Sequence, residues 1–136
     1  MTALLSDALA LPSPAPSNSY PTKTSWEVSN YTEGCSPGGC VYNFDIASPT
    51  TPSSLKEPAF RTNCTGTNVA GTMQPCLDPS ITANSIPGPG KFTLVIQHEW
   101  TDEEGVTYFL GGNRTVEIGG YPKRFVVEQT SVSAIA

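Results

Sequence analysis

Few residues of this chain are equipped for chemistry, and their spacing suits little of it. His98 is the single histidine. It falls between Ile96 and Trp100 on an alternating stretch and therefore on the apolar face. Beside Asp102, Glu103 or Glu104 it could act as a general base. Its phase favours a plainer role, a part-buried histidine at a barrel mouth, hydrogen-bonded to a neighbour. A nucleophilic triad needs an activated Ser or Cys next to the histidine, and no G-x-S-x-G is present. Asp102-Glu103-Glu104 lacks the ligand spacing of a calcium loop and reads as a solvated hairpin tip. Asp45 and Glu99 could form a glycoside-cleaving pair, but they lie mid-strand opposite apolar positions, where exposed carboxylates are ordinary. Trp26 and Trp100 could stack on sugar rings, yet both keep phase with apolar neighbours and belong in a core. Gly111-Gly112-Asn113 is followed by no helix and is not a phosphate loop. No catalytic, cofactor-binding or metal-binding residue is assigned, and no cofactor is expected.

The four cysteines, Cys35, Cys40, Cys64 and Cys76, lack the two-residue knuckle of common zinc sites. Their even number in a Ser/Thr-rich chain suits two disulfides. Three connectivities exist, of which sequential pairing is the simplest. Ser36-Pro37-Gly38-Gly39 would turn Cys35 back onto Cys40, and a Gly-rich excursion would join Cys64 to Cys76. Sequons for N-glycosylation stand at Asn30, Asn63 and Asn113. Asn30 and Asn113 are the better acceptors, because a cysteine occupies the middle of the Asn63 sequon.

Strands must position all of these side chains. Lys91 to Leu110 carries the clearest signal: Phe92, Leu94, Ile96 and Trp100 recur at every second residue, Thr101 to Gly105 is a polar loop ending in Gly, and Val106, Tyr108 and Leu110 resume the alternation. Ser25 to Tyr31 and Val41 to Ile46 read as strands paired across the Cys35–Cys40 turn. Ala47 to Pro58 reads as a long surface loop, Ala59 to Cys64 as a short strand, Thr67 to Gln74 as a weak one. Asn84 to Gly90 reads as a turn, Gly111 to Asn113 as a second turn or bulge, and Gly119 to Pro122 as a third. Thr115 to Ile118 and Arg124 to Thr130 are strands, and Ser131 to Ala136 a fraying end. Seven or more short strands define an all-β fold, a compact antiparallel β-barrel or sandwich with two disulfides.

The 136 residues allow one domain, placed at residues 24–136. Residues 1–10 read as the remnant of a signal peptide or a vector-derived leader, and residues 11–23 as a Pro/Ser-rich tail. Charged residues make up only 14 % and the net charge is −5, with the cations scattered, so no nucleic-acid partner is expected. No apolar run is long enough for a membrane span.

Five pieces of the sequence together resemble a known group. They are W-x-V-S-N-Y (Trp26 to Tyr31), Y-x-F-x-I (Tyr42 to Ile46), Cys64, Pro75-Cys76 and T-L-V-I-Q-x-x-W (Thr93 to Trp100). In order and spacing they are similar to the Alternaria major-allergen-like group of small secreted fungal proteins, which includes hypersensitive-response-inducing elicitors. The resemblance implies a disulfide-bonded β-barrel, secreted, perceived by plants as a defence trigger, with no established enzyme activity. The expected function is therefore a secreted effector acting as a monomer on a host plant protein or cell-surface component. The Ala47–Pro58 loop and the Thr101–Gly105 tip, with Asp102, Glu103 and Glu104, are the expected contacts. An extracellular carbohydrate-binding or glycan-acting β protein is the alternative, and a carrier of a small apolar ligand a third reading.

Overall fold

Alternation of apolar and polar residues builds nearly every strand. A computed structural model describes residues 24–49 and 56–136. The expected leader, the Pro/Ser-rich tail and the middle of the Ala47–Pro58 loop lie outside the described residues. Eight strands follow one another: β1 (Ser25–Ser36), β2 (Gly39–Ala47), β3 (Arg61–Thr67), β4 (Gln74–Pro75), β5 (Ile81–Gly88), β6 (Lys91–Thr101), β7 (Thr107–Glu117) and β8 (Lys123–Ile135). They form one antiparallel sheet in the order β3-β2-β1-β8-β7-β6-β5-β4, curled into a nearly closed barrel. Among the described residues no helix is long and apolar enough to cross a membrane.

Apolar side chains of the described residues pack together inside the barrel. Trp26, Val28 and Tyr31 from β1, Tyr42, Phe44 and Ile46 from β2, Phe92, Leu94 and Ile96 from β6, and Val127 from β8 are all buried. Period two in β1 would have sent Asn30 inward after Val28. A bulge between Ser29 and Thr32, with Asn30 in the left-handed region at φ 54°, shifts the phase and turns Tyr31 in instead. Asn tolerates that conformation better than most residues. Tyr31 then becomes the hub of an aromatic cluster, its ring centroid 4.9 Å from Phe92, 5.6 Å from Phe44 and 5.9 Å from Phe125.

The sheet closes at a seam between its two edge strands, β3 and β4. Cys64 on β3 is bonded to Cys76, just past β4. The Leu77 N–H donates to the Asn63 carbonyl at 3.0 Å, and the Asp78 N–H to Thr62 Oγ1 at 2.9 Å. Further along, the Gln74 carboxamide stands in for a peptide group, donating to the Thr67 carbonyl at 3.0 Å and accepting from its N–H at 3.4 Å. Gly66 is required beside it: a Cβ there would lie 2.4 Å from the Tyr42 hydroxyl. The second disulfide, Cys35–Cys40, closes the exposed β1–β2 turn. Both sequential pairings thus occur, and two disulfides are consistent with an oxidising, extracellular setting.

Four expected boundaries need correction. Asn84 to Gly88 is strand, not turn, because β5 sends Ile81, Ala83 and Ser85 inward; its Pro87 and Gly88 precede the true turn at 89–90. Of Thr67 to Gln74 only Thr67, the end of β3, and Gln74, the start of β4, are strand. Of the turn or bulge expected at Gly111 to Asn113 the turn is absent, for the segment is the middle of β7, while the pairing with β8 does shift register between Gly111 and Gly112. The glycine at 112 answers to a close backbone approach, since a Cβ would sit 2.1 Å from the Glu128 carbonyl oxygen. The expected fraying end is the last part of β8, paired through Ile135 with Thr107.

Candidate functional site

His98 points into the barrel, as its phase requires, near the end that carries the β6–β7 hairpin loop. It lies in register between Ile81 on β5 and Leu110 on β7. Its partner is none of the hairpin acids. Glu57, carried by the segment just before β3, inserts its carboxylate, and Oε2 lies 2.6 Å from His98 Nδ1. Both side chains are 2 % exposed. Trp26, fully buried, donates its indole N–H to the same oxygen at 2.8 Å. Gln129 Nε2 donates to Oε1 at 2.9 Å. The Thr24 hydroxyl donates to Gln129 Oε1, which orients the carboxamide so that its nitrogen faces Glu57. A carboxylate is an acceptor only, so the bonded proton sits on Nδ1. Phe60 approaches the imidazole edge-on at 4.8 Å and Trp100 lies 4.9 Å away.

A carboxylate on Nδ1 is also what a hydrolytic triad contains, but here both ring and acid are buried inside the barrel. The imidazole nitrogen that would take a proton from a nucleophile is part of a buried ring, and the carboxylate beside it already meets Trp26, His98 and Gln129. Sequence reasoning missed Glu57. Lys56-Glu57-Pro58 in a Ser/Thr/Pro-rich stretch has the look of surface loop. The one available signal was His98 itself, since an inward histidine needs an acceptor.

No family model matches this chain, and no curated protein or solved structure is significantly similar to it. What the residues can do must therefore be read from their own geometry.

The hairpin tip is self-contained. Asp102 Oδ1 accepts the N–H groups of Glu104 at 2.8 Å and Val106 at 3.0 Å, and Oδ2 accepts the Tyr108 hydroxyl at 3.3 Å. The Val106 N–H first, then Glu104 and Tyr108, hold its carboxyl below the usual carboxylate range. The stabilisation is present above the ordinary value of 3.8 and is lost as pH falls through the depressed one. The amide resonances of Glu104 and Val106 should accordingly titrate with a midpoint below 3.8; a midpoint at or above it would mean that these bonds do not form in solution. Glu103 and Glu104 remain exposed.

Trp100 stacks on Tyr108 at 5.2 Å with an interplanar angle of 17°, so one indole face is already occupied, and buried Trp26 has none to offer. Glu99 is exposed and distant in the sheet order from Asp45. Asp45 belongs to an outer cleft of about 670 Å³ lined by Asn30, Arg61, Asn63, Leu77 and Asp78 among others. Its carboxylate accepts from Asn63 Nδ2 at 3.0 Å and from Asn30 Nδ2 at 3.1 Å, and the same two donors, Asn63 first, lower its pKa. Two sequon asparagines are thereby tied to one acid, whereas Asn113 stands exposed on β7. Leu77, 83 % exposed, is the apolar projection at the rim.

Proposed function

We propose that the protein is a secreted binding protein that works from its outer surface, and specifically an elicitor that triggers plant defence or cell death by engaging a host protein or cell-surface component. The observation that carries the binding half of this reading is the state of the interior: aromatic side chains pack together inside the barrel, and the one histidine is locked onto Glu57. The elicitor half rests on the resemblance in the Trp26–Tyr31, Tyr42–Ile46 and Thr93–Trp100 segments. Two outer features are of a kind that recognises a protein. One is the acidic, rigid hairpin tip with Glu103 and Glu104. The other is the cleft, where Arg61, Asp45 and Asp78 surround an exposed leucine; exposed apolar groups rimmed by polar ones are a common interaction signature.

Infiltration of the oxidised, folded protein into leaves at micromolar dose tests the reading. Local cell death or a defence response is the expected result, reduced at least tenfold in potency by Leu77→Asp with Arg61→Glu, or by Glu103→Lys with Glu104→Lys. Folded wild-type protein that elicits nothing would end the elicitor reading. A full response from both surface variants would leave neither face as the contact.

A further inference from the structure

Three nitrogen donors from three strands meet inside the barrel: Trp26 Nε1 from β1, His98 Nδ1 from β6 and Gln129 Nε2 from β8. None of them resides on the segment that supplies Glu57. Trp26 is held by the core, His98 by its places opposite Ile81 and Leu110, and Gln129 by the hydroxyl of Thr24 and by its own N–H bonded to the Thr24 carbonyl at 3.0 Å. Their geometry is therefore a property of the sheet. Two donors aim at one oxygen and one at the other, the pattern a carboxylate completes and a single-centre anion such as chloride does not. Aromatic walls from Trp26 and Trp100 lower the local dielectric and strengthen each bond.

We propose that this triad is a carboxylate receptor and that Glu57 is its built-in occupant, an autoinhibitory contact that keeps the site filled. With the Glu57 carboxylate withdrawn, the same donors take a free monocarboxylate.

Glu57→Ala removes the occupant and leaves room for acetate or formate. Its thermal unfolding is followed at neutral pH in sodium acetate, sodium formate and sodium chloride of equal ionic strength. The expected result is a saturable rise in Tm of roughly 4 °C or more with either carboxylate over chloride, absent from the wild type. Adding Gln129→Ala should weaken the acetate response at least tenfold. No difference between acetate and chloride in the variant would overturn the proposal, as would an equal rise in the wild type or an undiminished response in the double variant. If Glu57→Ala does not fold in chloride, refolding in acetate reads the same property: a barrel recovered in acetate alone supports the receptor, and recovery in neither salt refutes it.

Discussion

Replacing Cys64 and Cys76 together by alanine should destabilise the protein by about 3 kcal/mol or more, well beyond the effect of the same change at Cys35 and Cys40. Both bonds close short loops, with sequence separations of 12 and 5, and the chain-entropy account alone assigns about 3 and about 2 kcal/mol. Position widens the gap. Cys35–Cys40 sits at an exposed turn whose flanking strands stay paired without it, because Gly34 faces Val41 and Glu33 faces Tyr42 in register. Cys64–Cys76 ties the two edges of the sheet, where the other hydrogen bonds among the described residues are few: the Gln74 carboxamide to Thr67, the Leu77 and Asp78 N–H groups, and the Tyr42 hydroxyl between Gln74 and the Ala83 carbonyl. Both sulfurs are also buried, so their loss removes packing as well. Against a typical domain stability of about 5–15 kcal/mol, the seam variant should lose much of its margin. Urea unfolding of the two double variants decides it; equal losses would mean that the seam holds without its bridge.

Tyr31→Ala should cost about 3–5 kcal/mol, whereas Tyr31→Phe should cost only about 1 kcal/mol. The ring is the hub onto which Tyr42, Phe44, Phe92, Tyr121 and Phe125 pack, and alanine would leave a void that a stiff sheet cannot collapse. The hydroxyl donates to Glu33 Oε1 at 2.9 Å. Burial, then the Glu33 carboxylate, push the phenol far above its ordinary value of 10.0. A raised value means that the folded state favours the neutral phenol. The stability this brings is intact below pH 10.0 and declines as pH rises toward the folded value. Tyr31→Phe should therefore also flatten the alkaline loss of stability. Denaturation of both variants at pH 7 and above pH 10 checks each part, and similar costs for the two at pH 7 would show that packing at this hub is not the main term.

The parts of the fold legible in the sequence are those governed by local period. Phe92, Leu94 and Ile96 declared β6, and Ser36-Pro37-Gly38-Gly39 declared the turn that pairs β1 with β2. Where the sequence misled, a long-range constraint overrode a local cue. Asn84 to Gly90 has the Pro and Gly of a turn, but the inward series Ile81, Ala83, Ser85 extends β5 across most of it. Gly111-Gly112 resembles a break, yet the second glycine is there because Glu128 passes too close for any side chain. Asn30 moved Tyr31 inward through a bulge that period-two reasoning does not contain. The site was half legible: alternation placed His98 inside, but its acid stands 41 residues away in a proline-bounded stretch, and any of the chain's 12 acidic residues could have been the partner on local grounds.

The position of β1 in the sheet has a consequence for biosynthesis. It lies between β2 and β8, and the contact that marks its second edge joins Thr24 to Gln129 across 105 positions. A ribosome delivering the chain from its N-terminus exposes both cysteine pairs long before β8 emerges, so oxidation can precede closure. Until then the edge of β1 that pairs with β8 stands open with Trp26 and Val28 beside it, and it is at this stage, rather than in the finished protein, that an open strand edge invites wrong pairing.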